Sequence, residues 1–288
     1  MAPRGAHDPR SPGPARTMMD TTTRGPARGH GVPGSPRRSS PAKWIRTFHP
    51  EPEAPARLLC FPHAGGSAGG YHRLSAALVG RAETLVVQYP GRQDRLGEPC
   101  AGSVEELVDG VLGELVPRIG DGRPLGLFGH SMGALVAFET AHRLQRLGAA
   151  PDVLFVSARR APSLAEPTGS RDLPLDDEEL VAELRRLGGI DDELLAEPGI
   201  LRFALPAMRG DCALLDRYRY RPREALECAV VGVLGEADAG VGEQHMRPWS
   251  SETRGEYHLR VLPGGHFYLH EQLPRLTALI DDALSNRL

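Results

Sequence analysis

The chain has 288 residues, of which 40% are apolar and 25% charged, with a formal net charge of −3. This balance gives no whole-protein attraction to nucleic acid or an acidic membrane, and the length suits one large α/β domain with an appendage. The cysteines Cys60, Cys100, Cys212 and Cys228 form no C-x-x-C pair, no run approaches the roughly 18 apolar residues of a membrane helix, and the chain opens without an apolar signal core. A cytoplasmic protein with reduced thiols is expected.

Residues 1–42 are dominated by Pro, Gly, Arg, Ser and Thr, with almost no large apolar side chain to offset the entropy of ordering; they are read as a disordered N-terminal extension. At Trp44 the texture changes, and a single domain is predicted over 43–288. Strands are predicted at 44–48, 57–61, 84–88, 125–128, 153–157, 229–234 and 258–262. Several are continuous apolar runs, as strands buried on both faces should be, and helical patterns alternate with them as in βαβ units. One helix starts near Ser103, where Ser103 and Glu106 form a capping-box pattern. A second runs from Met132 to about Leu147 before Gly148, and the last covers about 273–285. Between about 161 and 223 acidic helical segments interrupt the strand rhythm, which predicts a helical insertion.

Gly129-His130-Ser131-Met132-Gly133 fits G-x-S-x-G, directly after the strand at 125–128 and directly before a helix. Strand, sharp turn and helix are the setting in which such a serine is a nucleophile, and they point to an α/β-hydrolase fold with the acid and then the base further along the chain. In that fold the insertion at 161–223 would lie over the C-terminal edge of the sheet as a lid. His266 follows the strand at 258–262 in a Pro-Gly-Gly loop and is the predicted base; His258 and His270 read as structural. Asp238 follows the strand at 229–234 and is the predicted acid, with Glu236 as the alternative from the same loop. The oxyanion formed on attack needs two fixed donors, predicted as the backbone N–H of Met132 and that of Ala64, in the glycine-rich loop after the strand at 57–61. His63, in the same loop, fits a loop-shaping role. No metal or redox cofactor is needed for this chemistry.

Four segments taken together resemble the type II thioesterases that accompany polyketide and nonribosomal peptide synthases. They are Cys60-Phe61-Pro62-His63-Ala64-Gly65-Gly66-Ser67-Ala68, Gln88-Tyr89-Pro90-Gly91-Arg92, Phe128-Gly129-His130-Ser131-Met132-Gly133-Ala134 and Leu262-Pro263-Gly264-Gly265-His266-Phe267. The resemblance runs from about Trp44 to the C-terminus. It implies a free-standing editing enzyme with Ser131, Asp238 and His266 as its triad, Met132 and Ala64 as oxyanion donors and 161–223 as lid. Such an enzyme removes stalled or incorrect acyl groups from the phosphopantetheine arm of acyl or peptidyl carrier proteins, and that arm belongs to the substrate. A monomer is expected. By analogy Arg92 shapes the mouth of the site; a surface charge is the alternative. Two other readings stay open from residues alone: a small-molecule carboxylesterase, and a catalytically silent carrier-protein binding module.

Overall fold

The computed structural model describes residues 43–164, 176–187 and 198–285. The predicted extension at 1–42 and the parts of the insertion at 165–175 and 188–197 lie outside the described residues. Among the described residues seven strands form one sheet: β1 (Ile45–Arg46), β2 (Ala56–Phe61), β3 (Ala82–Val87), β4 (Leu125–His130), β5 (Val153–Ser157), β6 (Ala229–Gly235) and β7 (Tyr257–Leu262). Their order is β1-β3-β2-β4-β5-β6-β7, with β1 antiparallel to β3 and every other pair parallel. This is the mostly parallel, helix-flanked sheet of the α/β-hydrolase fold. Each predicted strand is present; that at 44–48 shortens to two residues, Ile45 paired with Val87 and Arg46 with Val86, extended by one bond from the Gln88 N–H to Trp44 O at 2.8 Å.

Among the described residues the α-helices are α1 (His72–Ala77), α2 (Val104–Leu115), α3 (Met132–Arg146), α4 (Asp177–Leu187), α5 (Pro198–Arg217), α6 (Glu243–Met246), α7 (Tyr268–Glu271) and α8 (Leu273–Leu284). The period of two along β2 divides its side chains between two cores. Leu59 and Phe61 pack with Leu107 and Val111 of α2 and Leu135 and Phe138 of α3. Leu58 and Cys60 face the other way, toward Leu74 of α1 and Leu276 and Ile280 of α8. Each such fully buried Leu or Phe stabilises the fold by roughly 1.5–3 kcal/mol relative to exposure.

Helix α2 starts as predicted, with the Glu106 N–H donating to Ser103 Oγ at 3.2 Å. The reciprocal half of the capping box differs. Glu106 Oε2 accepts from the N–H of Gly102 at 2.8 Å, one residue further back, and so satisfies a different donor at the helix entrance. At its other end α3 stops at the predicted place, where Gly148 adopts φ +71°.

Candidate active site

Ser131 sits between β4 and α3 with φ 54° and ψ −118°, a conformation L-residues rarely adopt and one that costs of order 1–3 kcal/mol. Its N–H donates to Ser157 O on β5 at 2.8 Å, which fixes the turn to the sheet. The flanking glycines are required by close approach. A Cβ at Gly129 would meet Gly133 O at 2.2 Å, and one at Gly133 would meet Phe61 O at 2.0 Å. Without those side chains the first turn of α3 folds back over β4 and lies against the end of β2. The consequence is that Ser131 stands at the C-terminal edge of the sheet beside the loop that begins at Pro62.

The other two predicted residues come from the last two strands. A Cβ at Gly235 would meet Gly265 O at 2.1 Å, so glycine at the end of β6 lets the loop after β7 pass against it. The Glu236 N–H donates to Leu262 O at 2.8 Å, and the Ala237 N–H to Gly264 O at 2.9 Å. This joining of the loops brings Asp238 to His266. His266 Nδ1–H donates to Asp238 Oδ2 at 2.7 Å, with the Asp238 side chain 0% and the His266 side chain 5% exposed. Asp238 Oδ1 accepts from the N–H groups of Gly240 at 2.8 Å and Val241 at 3.1 Å. Burial pushes the Asp238 carboxyl up, but the bond from His266 and those two backbone donors outweigh it and hold the group below its ordinary range. Glu236, the alternative acid, is exposed.

His266 Nε2 is buried and has no hydrogen-bond partner among the described residues. The structure thus brings His266 and Asp238 together, and shows no hydrogen bond from Ser131 Oγ to the imidazole. Among the described residues no acceptor takes the N–H of Met132, first residue of α3, or that of Ala64.

Three further histidine and aromatic contacts shape the site. His63 stands edge-on to Phe267, with centroids 4.8 Å apart, and its ring fills the space that a Cβ at Gly66 would need. Desolvation, helped by the positive potential of His270, His266 and Arg92, pushes His63 down to about 3, so it is a neutral packing group. His130, inside G-x-S-x-G, shares a 2.8 Å hydrogen bond through Nδ1 with Ser157 Oγ, which lies 2.6 Å from Tyr268 Oη.

Arg92 is buried rather than a surface charge, and it pairs with Asp211 of α5 through contacts of 2.6 and 2.8 Å. Sequence reasoning missed Asp211. An acidic residue in a helical insertion looks like a solvated charge, and its partner lies 119 positions away. A cavity of about 510 Å³ opens elsewhere, between Val108, Glu139, Arg143 and Arg221, and is lined by none of Ser131, Asp238 and His266.

The family model described as thioesterase domain matches residues 56–284. The chain belongs to the thioesterase domain family. The thioesterase is similar to thioesterase PikA5 of Streptomyces venezuelae, with 46% identity over 242 residues, 84% of this chain and 85% of that one. It is likewise similar to a probable cadicidin biosynthesis thioesterase of Streptomyces griseus, with 41% identity over 278 residues, 96% and 75% of the two chains. Among solved structures it matches the type II thioesterase BorB from the borrelidin biosynthetic cluster with a TM-score of 0.77 and 43% identity, covering 86% of this chain and 100% of that one. The thioesterase is therefore a serine hydrolase acting on thioesters, and no helix among its described residues is long and apolar enough to cross a membrane.

Proposed function

We propose that this thioesterase is a free-standing editing enzyme that hydrolyses aberrant or stalled acyl groups from the phosphopantetheine arm of acyl or peptidyl carrier proteins in polyketide or nonribosomal peptide biosynthesis. Ser131 is the nucleophile, His266 its general base and Asp238 the carboxylate that orients the base. The observation that carries this reading is the buried 2.7 Å bond between His266 Nδ1 and Asp238, which commits Nδ1 and leaves Nε2 as the nitrogen able to take a proton.

Ser131 Oγ attacks the thioester carbonyl as its proton passes to His266 Nε2. The N–H groups of Met132 and Ala64 stabilise the oxyanion, and collapse expels the pantetheine sulfur, which takes the proton from His266. Water then attacks the acyl-enzyme with His266 as base, the acid is released and Ser131 regains its proton. The chain's own residues carry every step without a resident cofactor, and phosphopantetheine arrives and leaves with the carrier. Segment 161–223 acts as the lid of the 43–288 domain. The enzyme works as a cytoplasmic monomer whose partners are carrier domains, with neither nucleic acid nor a membrane involved.

The test is hydrolysis of several acyl groups from a phosphopantetheinylated carrier protein and from the corresponding simple alcohol esters, by the parent and by Ser131→Ala. Carrier turnover that disappears in Ser131→Ala is the expected result. Strong ester turnover without thioester turnover would make the protein a carboxylesterase, and inactivity on both a silent carrier-binding module.

A further inference from the structure

Arg92 and Asp211 come from different parts of the fold and meet on the loop that holds Ala64. Arg92 follows the Tyr89-Pro90-Gly91 turn after β3, and Asp211 lies on α5; their relative exposures are 4% and 2%. Asp211 Oδ2 accepts from Arg92 Nη1 at 2.6 Å and from the Gly65 N–H at 2.8 Å, while Oδ1 accepts from Arg92 Nη2 at 2.8 Å. Arg92 Nη1 also donates to Gly66 O at 3.3 Å, and its Nε donates to Pro90 O at 3.2 Å. The pair therefore holds the N–H of Gly65 and the carbonyl of Gly66 at once. Gly65 itself has φ +72°, and a Cβ there would lie 3.3 Å from Met208 Sδ, so α5 rests directly on this loop.

A buried ion pair is a poor source of net stability, because desolvating both charges costs about as much as their attraction returns; in some proteins such buried polar groups instead fix one conformation. Nor is Arg92 placed to receive a substrate anion, since the Asp211 carboxylate already occupies both of its terminal nitrogens. What the pair does fix is the peptide after Ala64. The Gly65 N–H belongs to that peptide, so holding it restricts the backbone at Ala64, whose own N–H is the proposed second oxyanion donor.

We propose that Arg92 and Asp211 are positioning residues that aim the oxyanion loop, so that the Ala64 donor is in register only while α5 is docked. This rests on the reading of Ser131 as nucleophile and Ala64 N–H as oxyanion donor. Since the oxyanion exists only after attack, a misaimed donor weakens the transition state without weakening binding of the carrier or its acyl chain.

The experiment compares Asp211→Ala, Asp211→Asn and Arg92→Lys with the parent on one acyl-carrier substrate, each well below its own melting temperature. Labelling of Ser131 by a fluorophosphonate, whose phosphonyl oxygen occupies the same hole, is timed in parallel. Asp211→Ala is expected to lower kcat by about 10- to 100-fold, less than the 10²–10³ of deleting a donor outright, with KM within about twofold. Labelling should slow in step with kcat. Asp211→Asn keeps one acceptor oxygen for the Gly65 N–H and should lose less than Asp211→Ala; Arg92→Lys, the milder disturbance, keeps the charge but loses the two-pronged contact and should fall between parent and Asp211→Ala. A lower melting temperature with unchanged kcat and labelling rate in the folded variants would reduce the pair to a structural clamp and overturn the proposal. A rise in KM alone would do so too. Ser131→Ala run alongside separates the two layers: turnover that survives it overturns the nucleophile assignment, whereas turnover lost there but unaffected at Asp211 overturns only the positioning role.

Discussion

Ser157 Oγ lies 2.6 Å from Tyr268 Oη, in a bond that ties β5 to the segment just after His266. The backbone oxygen of Ser157 accepts from the N–H of Ser131, so one residue holds the Ser131 turn by its main chain and the His266 loop by its side chain. Tyr268→Phe deletes the second tie and leaves a buried hydroxyl with one partner fewer. It should destabilise the protein by about 1–2 kcal/mol in urea denaturation and lower kcat more than it raises KM. Parent-like values in both measurements would deny Ser157 this linking role.

The two glycines of G-x-S-x-G make a sharper claim. Gly133→Ala places a Cβ 2.0 Å from Phe61 O, where neither backbone can yield cheaply, and should cost more than about 3 kcal/mol or abolish soluble expression. Gly113→Ala, in α2 with nothing within 4 Å of its Cβ, is the control. It should gain about 0.5–1 kcal/mol from helix propensity. Equal melting temperatures for the two variants would show that the close approach does not exist.

Asp238→Asn replaces an ionised acceptor by an amide and permits the wrong imidazole tautomer. A loss of about 10⁴-fold in kcat is expected, while Glu236→Gln, on an exposed side chain of the same loop, should be near neutral. Comparable losses at the two positions would return the choice of acid to an open question.

Acid should destabilise the fold in two stages. Desolvation, with His266 and other nearby imidazoles contributing at His130 and Arg223 and Arg146 at His142, lowers both groups below 6.5; His63 and His142 are pushed down to about 3. Between pH 6.5 and about 3 the unfolded chain therefore binds protons that the folded chain refuses, and stability falls as pH falls. Below about pH 4 Asp238 acts in the same direction, because its folded carboxyl stays ionised after the unfolded one has protonated. Urea midpoints at pH 7, 5.5 and 4.5 measure the slope. His142→Gln, which removes a titrating group packed edge-on against Phe138, should make it shallower; an unchanged slope would count against buried neutral His142 as a source.

The architecture was legible in the sequence because it follows from local rules. Apolar runs marked the strands buried on both faces, and glycines at 129, 133 and 148 marked the turns around α3. The order of Ser131, Asp238 and His266 followed from that frame, and Asp238 meets His266 in the structure. Other features were not local. Helices α1, α6 and α7 are too short for a helical period to register, and Glu106 reaches Gly102 rather than Ser103 by a choice of rotamer. Asp211 becomes informative only when α5 is laid across the loop at 63–66, because the pair with Arg92 is a tertiary contact that no spacing along the chain encodes.

Asp238 and His266 leave the sheet from β6 and β7, and β7 is an edge strand none of whose residues is fully buried. Among the described strands they are also the last two in chain order. The strained Ser131 turn therefore precedes both of its proposed partners along the chain, and the proposed triad is complete only once β7 is in place. In the finished protein the same edge frays more readily than β2, β4 and β5, which are paired on both sides. Warming should therefore silence the enzyme reversibly before the central sheet opens: the proposed base hangs from a strand that, among the described residues, is held from one side.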